Sequence, residues 1–210
     1  MNDHIEFTKR RMTRPDGAQP KLAVSRFVFI FLACLLFSCT DPSAKLPNYG
    51  KVPHFTMTDS RGQVFDSASL AGKVWLVDFI YTNCPGPCPR MTSQMHGLQK
   101  QLANDADVRL VSISVDPDHD TPPVLNEFAH RFGGPADDWL FLTGRPATVH
   151  LLAHDVFKVG DVIQNMDHST KFMVVDKQGN LRGYYSSDDD ADTGMPALLR
   201  DLEALRHQRT

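Results

Sequence analysis

The sequence predicts a mixed α/β fold, one sheet with helices on both faces. Three observations carry that expectation. The runs 74-VWLVDFIY-81 and 108-VRLVSISV-115 are almost continuously apolar, as strands buried on both faces are. Each run is followed by a helical segment. Met91, Met95, Leu98 and Leu102 recur at helical spacing after the first, and 121-TPPVLNEFAHRF-132 opens after the second with Thr and Pro, a helix-start signature. Strand–helix–strand succession implies parallel pairing. Towards the end, 171-KFMVVD-176 and 181-LRGYYS-186 enclose 177-KQGN-180, a hairpin that adds antiparallel strands.

The remaining elements follow in chain order. Residues 40-TDPSAKLPNYGKVP-53 are rich in Pro, Ser, Gly and Asn and read as a tether. The short strands 54-HFTMT-58 and 63-QVFDS-67 flank the turn signal 59-DSRG-62. Next come a strand, 139-WLFLT-143, and a helix with Pro at its start, 146-PATVHLLAHDVF-157. Met195, Leu198, Leu199, Leu202 and Leu205 mark a final amphipathic helix. The expected division is a terminal segment 1–39, a linker 40–52 and one domain 53–207. There is no internal repeat, and the acidic run 188-DDDAD-192 reads as a solvated loop.

In the terminal segment, Lys9, Arg10, Arg11, Arg14, Lys21 and Arg26 precede the uncharged run 27-FVFIFLACLLFSC-39. Its thirteen residues span only ~20 Å against a hydrocarbon core of ~30 Å. That length fits a signal-peptide core better than a membrane-spanning helix. The alternative is an uncleaved anchor starting near Leu22, with Arg26 snorkelling. In both cases the basic flank stays inside and the remainder is exported, to the periplasmic side of the cell membrane. The end of the run, 36-LFSC-39, resembles a lipoprotein signal box in which Cys39 becomes the lipidated first residue, although Phe37 is bulkier than that pattern usually has. Cys34 reads as a small apolar residue. Without residues 1–38 the chain carries 16 basic and 22 acidic residues, net −6, which argues against a nucleic-acid partner, since that would call for a basic face. With Cys39 at the membrane, one close pair remains, Cys84 and Cys88. A single pair in an exported domain of this size is not a disulfide scaffold, so its role is chemical rather than structural.

The stretch 82-TNCPGPCPRM-91 sets that pair directly after a central strand and at the start of a helix, the layout of thioredoxin-like folds. The helix N-terminus favours thiolate, the form that attacks disulfides and binds metals. Pro85 and Pro87 stiffen the loop, and Pro89 biases Cys88 away from helical conformation, so the loop is expected to end at Cys88. Three intervening residues permit a disulfide, if the Cα atoms come within ~4.4–6.8 Å, or a shared metal. Two thiolates are soft donors that select Cu(I), with Zn as competitor, and Cu(II) needs a third group. His168, in 166-MDHSTKFMVVD-176 just before a strand, is the candidate. Thioredoxin-like enzymes usually carry a cis-proline facing the dithiol there, whereas this chain has Asp167, His168, Ser169 and Thr170. By itself such a histidine is more often a surface or satisfied core residue; its place in the topology is what argues for a ligand.

Other residues have plainer readings. Asp78 lies inside an apolar strand, where it needs a partner; it either tunes the cysteines or bonds to backbone. The motif 116-DPDHDTP-122 is expected to turn the chain and cap the next helix rather than orient the site, with His119 exposed. Met91 and Met95 fit a core face, and Met166 is a weak candidate for a transient soft ligand. His150 and His154, four apart on a helix, suit a metal face, but with no third ligand evident beside them they are expected simply to be exposed.

Taken in order, 72-GKVWLVDFIYTNCPGPCPRM-91, 112-SISVDPDHDTP-122 and 165-NMDHSTKFMVVDKQG-179 make residues 50–206 resemble the Sco/SenC family of membrane-tethered copper chaperones for respiratory oxidase. The resemblance implies a thioredoxin-like domain with Cys84, Cys88 and His168 as copper ligands. It also implies delivery of copper to, or thiol reduction at, the binuclear copper centre of cytochrome c oxidase subunit II or another cuproprotein. A copper donor or thiol reductant would be the upstream partner. The family loop commonly has an Asp between the cysteines, where Gly86 and Pro87 stand here, which bears on partner docking more than on copper binding. An extracytoplasmic thiol–disulfide oxidoreductase, with Cys84 attacking and Cys88 resolving, stays open beside the chaperone reading. A peroxidase on the same fold is disfavoured, because no Thr stands three positions before a lone reactive cysteine.

Overall fold

The computed structural model describes residues 46–103, 105–159 and 170–208, all within the unit Asp41–Thr210. The run 27–39 with Cys34 and Cys39, and the segment holding Met166 and His168, lie outside the described residues. The elements are β1 (Thr56–Asp59), β2 (Val64–Asp66), a 3-10 turn (Ser67–Leu70), β3 (Val74–Ile80), α1 (Cys88–Leu102), β4 (Val108–Ser114) and α2 (Pro122–His130). There follow β5 (Trp139–Thr143), α3 (Pro146–His150) continuing as a π-helix (Leu151–Val156), β6 (Lys171–Val175), β7 (Leu181–Ser186) and α4 (Met195–Arg206).

One seven-stranded sheet has the order β2–β1–β5–β4–β3–β6–β7. Its centre is parallel, β3 with β4 and β4 with β5, and its flanks are antiparallel. All seven residues of β3 are buried, so both faces of this strand are covered, as its nearly continuous apolar run predicts. Met91, Met95 and Leu98 line the buried stripe of α1, and Leu198, Leu202 and Leu205 that of α4.

Both hairpins are closed by an aspartate that accepts local backbone N–H groups. Asp59 Oδ1 takes those of Arg61 (3.0 Å) and Gln63 (2.8 Å), and Gly62 supplies the positive φ of +78°. Asp176 Oδ1 does the same for Gln178 and Asn180. Asp176 also accepts from Arg182 at 2.8 Å, an almost fully buried ion pair. Arg182 in turn donates to the carbonyls of Leu46 and Pro47, and Tyr49 and Val52 donate to Leu181 and Gly179. Residues 46–52 of the expected linker are therefore hydrogen-bonded to the β6–β7 hairpin, with 47–51 exposed on its surface.

Two local details differ from expectation. Cys88 is the first residue of α1 rather than the end of the loop, and Pro87 is the cap. The Pro87 carbonyl accepts from the Met91 N–H at 3.0 Å, and Pro89 sits in the first turn, where a missing N–H costs nothing. The helix expected over 146–157 widens after His150 into π geometry.

Candidate dithiol and metal centre

The parallel register sets Ile80 beside Ser114, so the loops that leave β3 and β4 emerge side by side at the carboxyl end of the sheet. Val115 N–H donates to the Ile80 carbonyl at 2.9 Å. The loops are then tied together by Asp120, a fully buried carboxylate. Its Oδ1 accepts from the Thr82 hydroxyl at 2.6 Å, and its Oδ2 from the Thr82 N–H at 3.1 Å and the Ser114 hydroxyl at 2.6 Å. The motif 116–122 therefore braces the cysteine loop, contrary to the expectation that it mainly caps the next helix; Thr121, at the α2 cap, makes no side-chain capping bond. Replacing Asp120 by Ala leaves three donors buried and unmatched. Such a variant should lose ~3 kcal/mol of unfolding free energy in urea denaturation.

Cys84 and Cys88 are both reduced and both buried, at 7% and 3% exposure. Burial pushes the Cys84 thiol up, but hydrogen bonds from the Cys88 thiol, the backbone N–H groups of Cys88 and Gly86, and the Tyr81 hydroxyl outweigh it, leaving Cys84 below an ordinary cysteine. Cys88 is pushed up to about 12, first by burial, then by its donation to Cys84 and by the charges of Cys84 and Asp78. Tyr81 rises to about 12 through burial and through its bond and proximity to Cys84. Whatever thiolate the pair carries is therefore centred on Cys84, where three kinds of donor hold it.

Asp78 is completely buried on β3, and neither carboxylate oxygen has a hydrogen bond of normal geometry among the described residues. Burial raises it to about 7, against an opposing influence from the Ser112 hydroxyl on the paired strand. Its own backbone N–H also opposes the effect of burial, and its charge is the smallest of the influences that raise Cys88, so elements of both expected roles are present.

Arg90, two residues past Cys88, reaches Ser187, the residue after β7. Its Nη2 donates to the Ser187 hydroxyl at 2.8 Å and to the Ser187 carbonyl, while the Ser187 N–H donates to the Thr170 carbonyl at 3.0 Å. Thr170 is two residues beyond His168 in the chain. Among the described residues no group of three or more His, Cys, Asp and Glu side chains converges, so the dithiol by itself is a two-donor site. His119 is exposed, as expected, and bonds Asp116 at 2.8 Å. The acidic run 188–192 is exposed, with Asp190 closing a local turn onto Thr193. Tyr81, Arg90 and Asp120 were not singled out in the sequence. Only Asp120 carried a signal, an acidic side chain beside a helix start whose next residue, Thr121, could serve as the cap.

A mixed sheet with a reduced dithiol at the start of the helix after its central strand defines a thioredoxin-like thiol protein. The SCO1/SenC family model matches residues 44–203, and the chain belongs to that family. It is 43% identical over 118 residues to the SCO1 protein homolog of Bacillus subtilis, covering 56% of this chain and 59% of that relative's length. A solved structure of BsSco, described as a member of the Sco family of cytochrome c oxidase assembly proteins with a disulfide switch, is 33% identical with a TM-score of 0.66, covering 79% of this chain and 98% of the other. Yeast Sco1 with copper bound is 25% identical with a TM-score of 0.59, covering 75% and 94%.

Proposed function

We propose that this protein is a membrane-tethered, exported copper carrier that serves the binuclear copper centre of a respiratory oxidase, holding the metal with Cys84, Cys88 and His168. The observation that carries this reading is the reduced, buried pair in which hydrogen-bond donors converge on Cys84 and lower it below an ordinary cysteine. Such a pair is a soft donor set suited to Cu(I), and an imidazole would extend it to Cu(II). The stem of the His168 segment supports the third ligand. Thr170 is bonded to Ser187, which is bonded to Arg90 two residues past Cys88, and two peptide steps reach at most ~7 Å. Related proteins bear on the same point, since yeast Sco1 has been solved with copper bound and BsSco belongs to a family of oxidase assembly proteins. Residues 1–39 act as signal or anchor, with Cys39 as the lipid site in the first case, 40–52 as linker and 53–207 as the exported domain.

Copper capture displaces the thiol protons, and release returns the pair to the reduced state seen here. The same dithiol supports a second reading, reduction of a partner's disulfide, in which the Cys84 thiolate attacks one sulfur and Cys88 then displaces the partner as a thiol, leaving the Cys84–Cys88 disulfide. The two separate in one experiment. Copper-loaded and metal-free reduced protein are each mixed with an oxidised, metal-free subunit II copper domain. Delivery predicts a coloured binuclear centre that needs the copper-loaded form. Thiol reduction predicts loss of the recipient's disulfide with the metal-free form alone.

A further inference from the structure

The widened helix after β5 carries a feature that the dithiol does not use. Arg145 caps α3 and Pro146 opens it, and the chain then passes into π geometry at Leu151. This helix is anchored by Val149, Leu152, Ala153 and Phe157, the last packed edge-on against Trp75 and Phe79 of β3. Its outer face presents His150 and His154. Their rings lie 5.1 Å apart, centroid to centroid, and only 12° from parallel. Both side chains are exposed. Asp155 accepts from His154 Nδ1 at 2.8 Å. A carboxylate on Nδ1 fixes the proton there and turns the Nε2 lone pair outward, the arrangement that metal-bound histidines adopt. His150 has no hydrogen-bond partner among the described residues, so its ring nitrogens are available.

We propose that His150 and His154 form a second metal site, a surface chelate for a divalent first-row cation, with Asp155 as the residue that orients His154 and water completing the coordination. Imidazoles four residues apart on one helical face suit a shared ion at bond lengths of ~2.0–2.1 Å. An all-nitrogen, water-completed pair ranks Cu(II) above Ni(II) and Zn(II), and lacks the sulfur that would hold Cu(I). Its exposure makes it a rapidly exchanging site, in contrast to the buried thiols. The proposal does not depend on copper binding by the dithiol.

The test uses the full chain with Cys84→Ser and Cys88→Ser, which removes the sulfur site, titrated with Cu(II) alone. Calorimetry should count bound equivalents, and electron paramagnetic resonance should show nitrogen coupling from two imidazoles. Replacing His150 and His154 together by Gln should remove one equivalent, and each single replacement should weaken it at least tenfold. Asp155→Asn should weaken it ~10-fold by freeing the His154 ring. Exposed replacements of this kind should leave the alkylation rate of Cys84 in the otherwise native chain unchanged. The site is refuted if the doubly replaced protein binds as many equivalents of Cu(II) as its parent, or if the parent binds none. Unchanged affinity in Asp155→Asn would overturn the orienting role of Asp155.

Discussion

At pH 8 a small alkylating reagent is expected to modify Cys84 at least ~10-fold faster than Cys88. The difference comes from where the shared charge sits. Cys84 lies below the ordinary cysteine range because Cys88, two backbone N–H groups and Tyr81 all donate to it, whereas Cys88 is held at about 12. At that pH Cys84 carries far more of its thiolate form than Cys88, and the lower nucleophilicity of the more acidic sulfur returns only part of that advantage. Timed iodoacetamide labelling followed by peptide mass spectrometry reads the ratio directly. In Cys84→Ser, Cys88 should become more reactive than in the native chain, because one of the influences that raises it is gone. Equal labelling of the two cysteines would mean that the donors around Cys84 do not act as described.

The second large effect concerns Asp78. Its carboxyl is raised to about 7 in the folded chain, while the unfolded chain titrates near 3.8. Between those values the folded state keeps a proton that the unfolded state releases, so the contribution of Asp78 to stability falls as pH rises from ~4 to ~7 and is flat above. The full span is worth ~4 kcal/mol. Asp78→Asn removes this titration. In urea unfolding, the native chain should lose several kcal/mol relative to Asp78→Asn between pH 4.5 and pH 8. Parallel curves for the two proteins would show that Asp78 is hydrated or paired. The same replacement should lower Cys88, since the charge of Asp78 is one of the influences holding it up.

Most of the fold is legible in the sequence because its signals are local and strong. The nearly continuous apolar runs of β3 and β4, the prolines opening α2 and α3, and the Asp–Gly turns of both hairpins each determine structure within a few residues. Cys84 and Cys88 are legible for the same reason, as a close pair after a buried strand. The supports of the site are not. Asp120 matters because parallel pairing brings the end of β4 beside Thr82, 38 residues earlier. Arg90 matters because the chain returns to it at Ser187, 97 residues later. Neither separation leaves a periodic trace. Cys88 entered the helix despite the proline after it because its own position, in the first turn, needs no N–H from Pro89. The π-helical widening after His150, which ends where Phe157 packs against β3, likewise leaves no trace in helical spacing.

The account rests on three donors acting on one copper ion, and the most direct measurement is a Cu(II) titration of the reduced chain carrying His150→Gln and His154→Gln, compared with the same chain also carrying His168→Ala. The account predicts one equivalent with strong thiolate-to-copper absorption in the first protein, and loss of that band with at least a hundredfold weaker binding in the second. An identical band and affinity in both would contradict it and leave a redox dithiol in its place.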